Sequence, residues 1–315
     1  MVQRMKISII GTGRTGTAIA FALVSRRLAD ELVLVSRDPD GVAAGHAMDL
    51  QHAGVFLNTR APGDVRSGSI GDSAGSDIVI VTSSVPPPKL PPGVKMDRGF
   101  LAEGNYKLFK DLIPQLADAS PGAVFVIVTN PVDVMTWAAV DCCGLPARQV
   151  MGTGTLIDTG RFRALLRDRV DGHPNDVRAY VLGEHGSTMV AGVSVATIAG
   201  MKLPLTQEEV RDRFDGARES GHVVFRKKGY TDYAIAGCTS MIVRAVAEDT
   251  REVLPVSVRV DGPFGLDGVC LSLPCVIGRG GVMRILEPDL DAEERDQLKQ
   301  SAAAIRSQYE RVKNG

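Results

Sequence analysis

Short apolar runs alternate with helical patterns through the first half of the chain. Lys6–Ile10 predicts a strand, with a helix over 17–27 after it. Runs at 32–35, 77–81 and 123–128 predict further strands, apolar at nearly every position. Strands of that kind are buried on both faces and belong to parallel sheets covered by helices. Strand–helix–strand alternation then requires right-handed crossovers, so the expected class is α/β with a doubly wound sheet. The second half is mixed. Amphipathic helices are predicted at 105–116 and 291–312, and a strand-like piece at 190–198 sits among Gly-rich turns. With 315 residues in all, against about 150 per domain, the expected division is 1–150 and 151–315.

Composition removes several classes of function. The 36 Lys and Arg balance 37 Asp and Glu, giving a formal net charge of −1. That is no electrostatic footprint for nucleic acid or for an anionic membrane. Aromatic residues are only 5% of the chain, too few for base-stacking platforms. The five Cys are odd in number, and Cys142 and Cys143 are adjacent, which fits reduced, mostly buried thiols rather than a disulfide framework or a metal site. No uninterrupted apolar run approaches the ~18 residues of a membrane span. The N-terminal apolar stretch meets Gly11-Thr12-Gly13-Arg14 too soon for a secretory leader. The expected setting is the cytoplasm, with no nucleic-acid or membrane partner. The Pro-rich segment 86–93 reads as a stiff loop.

The sharpest motif is Gly11-x-Gly13-x-x-Gly16, which includes Arg14 and Thr15, follows a strand and opens a helix. Glycines there permit a tight turn, close approach of a pyrophosphate and close helix packing, while the helix N-terminus offers free N–H groups. This context predicts a Rossmann-type dinucleotide site. At the end of the second strand, where an NAD site places a carboxylate for the ribose hydroxyls, stand Ser36 and Arg37, followed by Asp38. A hydroxyl beside a guanidinium suits a 2′-phosphate. NADP(H) is therefore favoured, and Asp38 leaves NAD(H) open.

Four further segments carry chemistry. Asn130 follows a core strand, at the carboxyl end of the sheet where ligands bind. Asp158 and Arg161 lie three apart, on one face if helical. His185 sits in the Gly-flanked turn Gly183-Glu184-His185-Gly186, and Asp97-Arg98 in the long Pro/Gly loop. In this order and spacing, and together with Ala47-Met48-Asp49-Leu50-Gln51-His52 and Lys228-Gly229-Tyr230-Thr231-Asp232-Tyr233, the chain resembles the lactate/malate dehydrogenase family over essentially its whole length. Within the family it looks most like the L-2-hydroxyisocaproate dehydrogenase branch, on the lengthened loop before Arg98, Gly152-Thr153-Gly154-Thr155-Leu156 and Lys228-Gly229-Tyr230-Thr231.

That resemblance implies an α+β catalytic domain after the dinucleotide domain, and it implies roles. His185 would be the general acid for carbonyl reduction, oriented by Asp158. Arg161 would clamp the substrate carboxylate, and Arg98 would polarise the carbonyl when its loop closes. Asn130 would bond near nicotinamide and substrate, Thr153 and Ile235 would line the nicotinamide pocket, and Thr231 would border the substrate. A homodimer or homotetramer is also implied. Three departures stand out. Ser36 replaces the usual acid. Thr82-Ser83-Ser84-Val85 stands at a turn against the cofactor that usually holds Gly, so Ser84 would either crowd the backbone or add a hydrogen bond. The loop from Thr82 to Arg98 is longer than usual, and its substrate-selecting position falls on Pro87 or Pro92, with Lys89 and Lys95 the only nearby cations.

A 2-oxo acid bulkier than pyruvate is thus favoured as substrate. Malate dehydrogenase is the alternative within the chemistry, and a non-catalytic dinucleotide sensor the alternative from another class. A metal-dependent sugar hydrolase would need a Cys/His pair that the sequence lacks. Arg163 and Arg178 fall where some bacterial relatives bind an anionic effector, but read more simply as two surface arginines.

Overall fold

The computed structural model describes residues 4–57, 64–86, 98–171, 173 and 175–315, without the side chains of 98–100. Pro87, Lys89, Pro92, Lys95 and Asp97 lie outside the described residues, as does the side chain of Arg98.

The first half builds β1 (Lys6–Ile10), α1 (Arg14–Arg26), β2 (Glu31–Val35), α2 (Val42–Phe56), β3 (Asp64–Gly68), β4 (Ile78–Val81), α3 (Arg98–Ala119), β5 (Val124–Ile127), α4 (Val132–Cys143) and β6 (Val150–Gly152). These strands pair in parallel in the order β3-β2-β1-β4-β5-β6. Ile78–Val81 and Val124–Ile127 are buried at every position, as strands inside a covered parallel sheet must be. From β1 the chain winds outward first through β2 and β3, then through β4, β5 and β6, so β1 and β4 flank the switch point. Ligands of doubly wound sheets bind there, beyond the carboxyl ends of the strands.

The second half contributes α5 (Leu156–Val170), the two-residue strands β7 (Val177–Arg178), β8 (Val181–Leu182), β9 (Val190–Ala191), β10 (Thr197–Ile198) and β11 (Met201–Lys202), then α6 (Gln207–Lys228) and α7 (Tyr233–Ala247). After them come β12 (Val253–Asp261), β13 (Asp267–Gly278), β14 (Gly281–Ile285) and α8 (Ala292–Asn314). β12 joins β6 antiparallel through Ser257 and Gly152, so β12–β14 extend the first sheet to nine strands. The large apolar core runs through both halves. A second core, with Phe162, Leu166, Val177, Val210 and Ala217, lies between α5 and α6.

The elements depart from the sequence expectation in specific places. α1 starts at Arg14 rather than 17, because Gly13 already serves as its N-cap. The piece at 190–198 divides into β9 and β10, which pair in different sheets. β3 has the polar sequence DVRSG and pairs only with β2, an edge position that needs no apolar alternation. α6 is polar and holds interior glycines, yet Thr206 and Glu209 form a reciprocal capping box at its start.

Candidate active site

At the switch point, Gly11 adopts φ +106°, a left-handed value that a side chain would strain. A Cβ on Gly16 would lie 2.1 Å from the Gly11 carbonyl oxygen, so glycine is what lets α1 close on the turn. A Cβ on Gly13 would meet no protein atom at all. The open notch at Gly13 and the N-terminus of α1, which no side chain caps, form a cradle of the shape a pyrophosphate requires. The neighbouring strand completes it. Thr82 Oγ1 donates to the Gly11 carbonyl at 2.9 Å, and Ser83 Oγ donates to that of Ile10 at 3.0 Å. Thr15 is half-buried and Arg14 exposed, its guanidinium 4.2 Å from the ring centre of Tyr230, beside Thr231.

Ser84 adds a hydrogen bond rather than crowding the turn. Its hydroxyl donates to Asn105 Oδ1 at 3.1 Å, the Val85 N–H donates to the same oxygen at 2.8 Å, and Asn105 Nδ2 donates to the Asn130 carbonyl at 2.8 Å. Buried Asn105 on α3 thus ties the loop after β4 to the loop after β5. Asn130 itself is exposed at the sheet edge, before a cis peptide to Pro131. Thr153 is buried after β6, its N–H on the Ile127 carbonyl, and Ile235 packs against the large core from α7.

At β2, Ser36 ends the strand and its hydroxyl accepts from the Asp38 N–H at 3.3 Å. Asp38 turns its carboxylate toward Gly41, where a Cβ would lie 2.3 Å from Oδ2. Arg37 is exposed.

His185, Asp158 and Arg161 meet directly. His185 Nδ1 lies 2.5 Å from Asp158 Oδ2, and Arg161 Nη1 donates to Asp158 Oδ1 at 2.9 Å. The Asp158 side chain is only 2% exposed, whereas that of His185 is 26% exposed. Burial alone would raise the Asp158 carboxyl, but His185 and Arg161 more than offset it and hold it below the usual carboxylate range. Burial likewise pulls the His185 imidazolium down, but Asp158, with Asp133 behind it, holds the imidazole above its ordinary value. The result is a partly open imidazole backed by a fixed negative charge, with a guanidinium on the same carboxylate.

The His185 turn is fastened from three directions. The His185 N–H donates to Asp133 Oδ2 on α4 at 2.7 Å, and the Glu184 N–H donates to Ser301 Oγ on α8 at 2.7 Å. Gly183 exchanges both backbone hydrogen bonds with Ser272 of β13. Asp133 is fully enclosed. Burial pushes its carboxyl up to about 6, and the Ser257 hydroxyl and the His185 N–H restrain the rise. Sequence reasoning passed over Asp133 as a functional group. Its signal was a carboxylate inside the otherwise apolar run that becomes α4, a placement that demands a partner.

Arg163 is not a surface arginine. Its Nε donates to the Ala179 carbonyl at 2.9 Å, its guanidinium stacks on Tyr180, and Nη2 is buried without a partner. Arg178 is exposed.

Residues 5–152 match the lactate/malate dehydrogenase NAD binding domain, and residues 155–315 match the lactate/malate dehydrogenase alpha/beta C-terminal domain. The chain belongs to the lactate/malate dehydrogenase family. It is 39% identical to the L-lactate dehydrogenase of Salinibacter ruber, covering 97% of each chain. It is 41% identical to that of Synechococcus sp., covering 98% of this chain and 100% of the other. Its fold is similar to that of the malate dehydrogenase from Salinibacter ruber, with a TM-score of 0.87, 29% identity and 98% of each chain covered. As a member of the lactate/malate dehydrogenase family, the chain is an oxidoreductase acting on 2-hydroxy acids. Among the described residues, no helix is long and apolar enough to cross a membrane.

Two outcomes follow from this geometry. Asp133→Ala leaves the enclosed His185 N–H without an acceptor, so it is expected to destabilise the fold by about 1–3 kcal/mol. It should also lower turnover more than cofactor affinity, as denaturant melts and nucleotide fluorescence titration together would read. Carbonyl reduction needs the protonated imidazole, so reductive kcat/KM should fall as pH rises through the His185 pKa, on a limb shifted to higher pH than an ordinary imidazole would give. In Asp158→Asn that alkaline limb should move to lower pH, and neutral-pH turnover should drop by at least about tenfold. A pH–rate profile of both proteins checks this.

Proposed function

We propose that this enzyme is an NADP(H)-preferring L-2-hydroxyacid dehydrogenase, working as a reductase of 2-oxo acids bulkier than pyruvate. The observation that carries the reaction is the single buried carboxylate of Asp158, shared by His185 and Arg161. Arg161 grips the carboxylate of the 2-oxo acid, a task for a planar fork of donors that Lys cannot perform. His185 gives its proton to the carbonyl oxygen, and Asp158 stabilises the imidazolium and fixes the tautomer. Arg98, at the start of α3, polarises the carbonyl, Asn130 bonds near the reacting carbon, and Thr231 borders the substrate. A bound reduced nicotinamide supplies the hydride. Gly11, Gly13, Arg14, Thr15 and Gly16 receive its pyrophosphate, Thr82 and Ser83 brace that turn, and Thr153 and Ile235 line the nicotinamide side.

The preference for NADP(H) is supported by what stands at the end of β2. A hydroxyl and an exposed guanidinium occupy the place where a carboxylate would repel a 2′-phosphate, and Asp38 is folded back toward Gly41. The larger substrate is supported by the lengthened loop and by the absence of Arg from its selecting positions. Malate dehydrogenase is the second reading, favoured by the fold of the Salinibacter ruber enzyme. We also propose a cytoplasmic setting, a division of the chain near residue 150 into dinucleotide and catalytic domains, and assembly into a homodimer or homotetramer. Met48, Val55 and Phe56 on α2 and Phe225 on α6, all exposed and apolar, support the assembly.

Steady-state rates with pyruvate, oxaloacetate, 2-oxoisocaproate and phenylpyruvate, each against NADH and NADPH, test the reading. The expected result is the highest kcat/KM with a bulky acid and NADPH. A best substrate of oxaloacetate selects the malate reading, and dinucleotide binding without turnover on any acid overturns the enzyme reading. His185→Ala should abolish turnover while cofactor binding persists. Ser36→Asp should shift preference toward NADH, and a native enzyme at least about tenfold better with NADH would overturn the cofactor reading.

A further inference from the structure

Helix α6 carries two glycines in its interior, Gly216 and Gly221, although glycine is among the least favourable residues there. Both face α5. A Cβ on Gly216 would meet Leu165 Cδ1 at 3.2 Å, an apolar tip with freedom to turn aside. A Cβ on Gly221 would meet Arg161 instead, at 3.0 Å from Nη1 and 3.3 Å from both Cζ and Nη2. Nη1 is also the nitrogen that donates to Asp158 Oδ1. The guanidinium is therefore held on one side by the buried carboxylate and flanked on another by a helix face with its side chain removed.

We propose that Gly221 is a positioning residue for the substrate clamp: its bare backbone lets the Arg161 guanidinium stay on Asp158 while turning its remaining N–H groups to the carboxylate of the 2-oxo acid. The inference rests on the reading of Arg161 as that clamp. Two parallel N–H···O bonds require the guanidinium and carboxylate to be nearly coplanar. A methyl group at 221 forces the guanidinium to move by a few tenths of an ångström or to leave Asp158. Displacements of that size are felt at sites whose groups must be held to within about 0.5 Å, and a misplacement of about 1 Å costs about a hundredfold. The helix itself gains from alanine, so folding and substrate binding should respond in opposite directions.

The test compares Gly221→Ala with Gly216→Ala and Arg161→Lys in the intact enzyme. The readouts are KM and kcat for the best 2-oxo acid, reduced-cofactor Kd by fluorescence, and Tm. Gly221→Ala is expected to raise KM about fivefold, with kcat and cofactor Kd within about twofold and Tm equal to or above that of the parent. Gly216→Ala should leave KM unchanged, since only the Leu165 tip must move. If Gly221→Ala leaves KM unchanged while Arg161→Lys raises it, the inference fails and the clamp reading stands. A Tm several degrees lower in Gly221→Ala, with all kinetic constants shifted together, also overturns the inference by reducing Gly221 to a packing position. If Arg161→Lys leaves KM unchanged, the clamp reading fails and takes the inference with it.

Discussion

A single enclosed carboxylate organises the active site. Asp158 sits in the first turn of α5, almost without solvent, and divides its two oxygens between an imidazole and a guanidinium. An ionised carboxylate in such a place is tolerable only with full compensation, and the two cations supply it. The arrangement has a chemical consequence: the same negative charge that makes the burial expensive holds the His185 imidazole above its ordinary value. One residue thus biases the protonation of His185 and holds the guanidinium of Arg161 together.

The surrounding fold exists to hold that trio beside the dinucleotide cradle. Parallel strands β1, β4, β5 and β6 end at Ile10, Val81, Ile127 and Gly152, so the loops that begin beyond them, with Gly11, Thr82, Thr129 and Thr153, lie along one edge of the sheet. Asn105 ties two of those loops with three hydrogen bonds from one buried side chain. α5 follows β6 directly and brings Asp158 and Arg161 to the same edge. The continuous nine-stranded sheet makes the cradle and the trio parts of one rigid frame, with β12 locked to β6 at Ser257 and Gly152.

Much of this was legible in the chain itself. The interior strands β4 and β5 are apolar throughout and β1 nearly so, so their signal survives without neighbours, and the Gly11–Gly16 turn is written in residues whose absence of side chain is the message. The pairing of Asp158 with Arg161 was visible from their spacing of one helical turn. The meeting of both with His185 was implied only by the family resemblance, because no local spacing brings residues 158 and 185 together. β3 was missed because an edge strand need not alternate. α6 was missed because its interior glycines and polar surface answer to what lies against it rather than to helix propensity. Asp133 was passed over because a carboxylate in an apolar run reads as an interruption until its partner, a main-chain N–H from 52 residues away, is seen.

The fastening of the His185 turn by α8 has a consequence for how the enzyme comes into being. Ser301, 117 residues downstream, accepts the Glu184 N–H, and a Cβ on Gly183 would lie 2.5 Å from that hydroxyl. The large core runs through both halves and β6 pairs with β12, so the packing of the first half also draws on residues far downstream. The Glu184 N–H, next to His185, has this acceptor only once the last helix has docked.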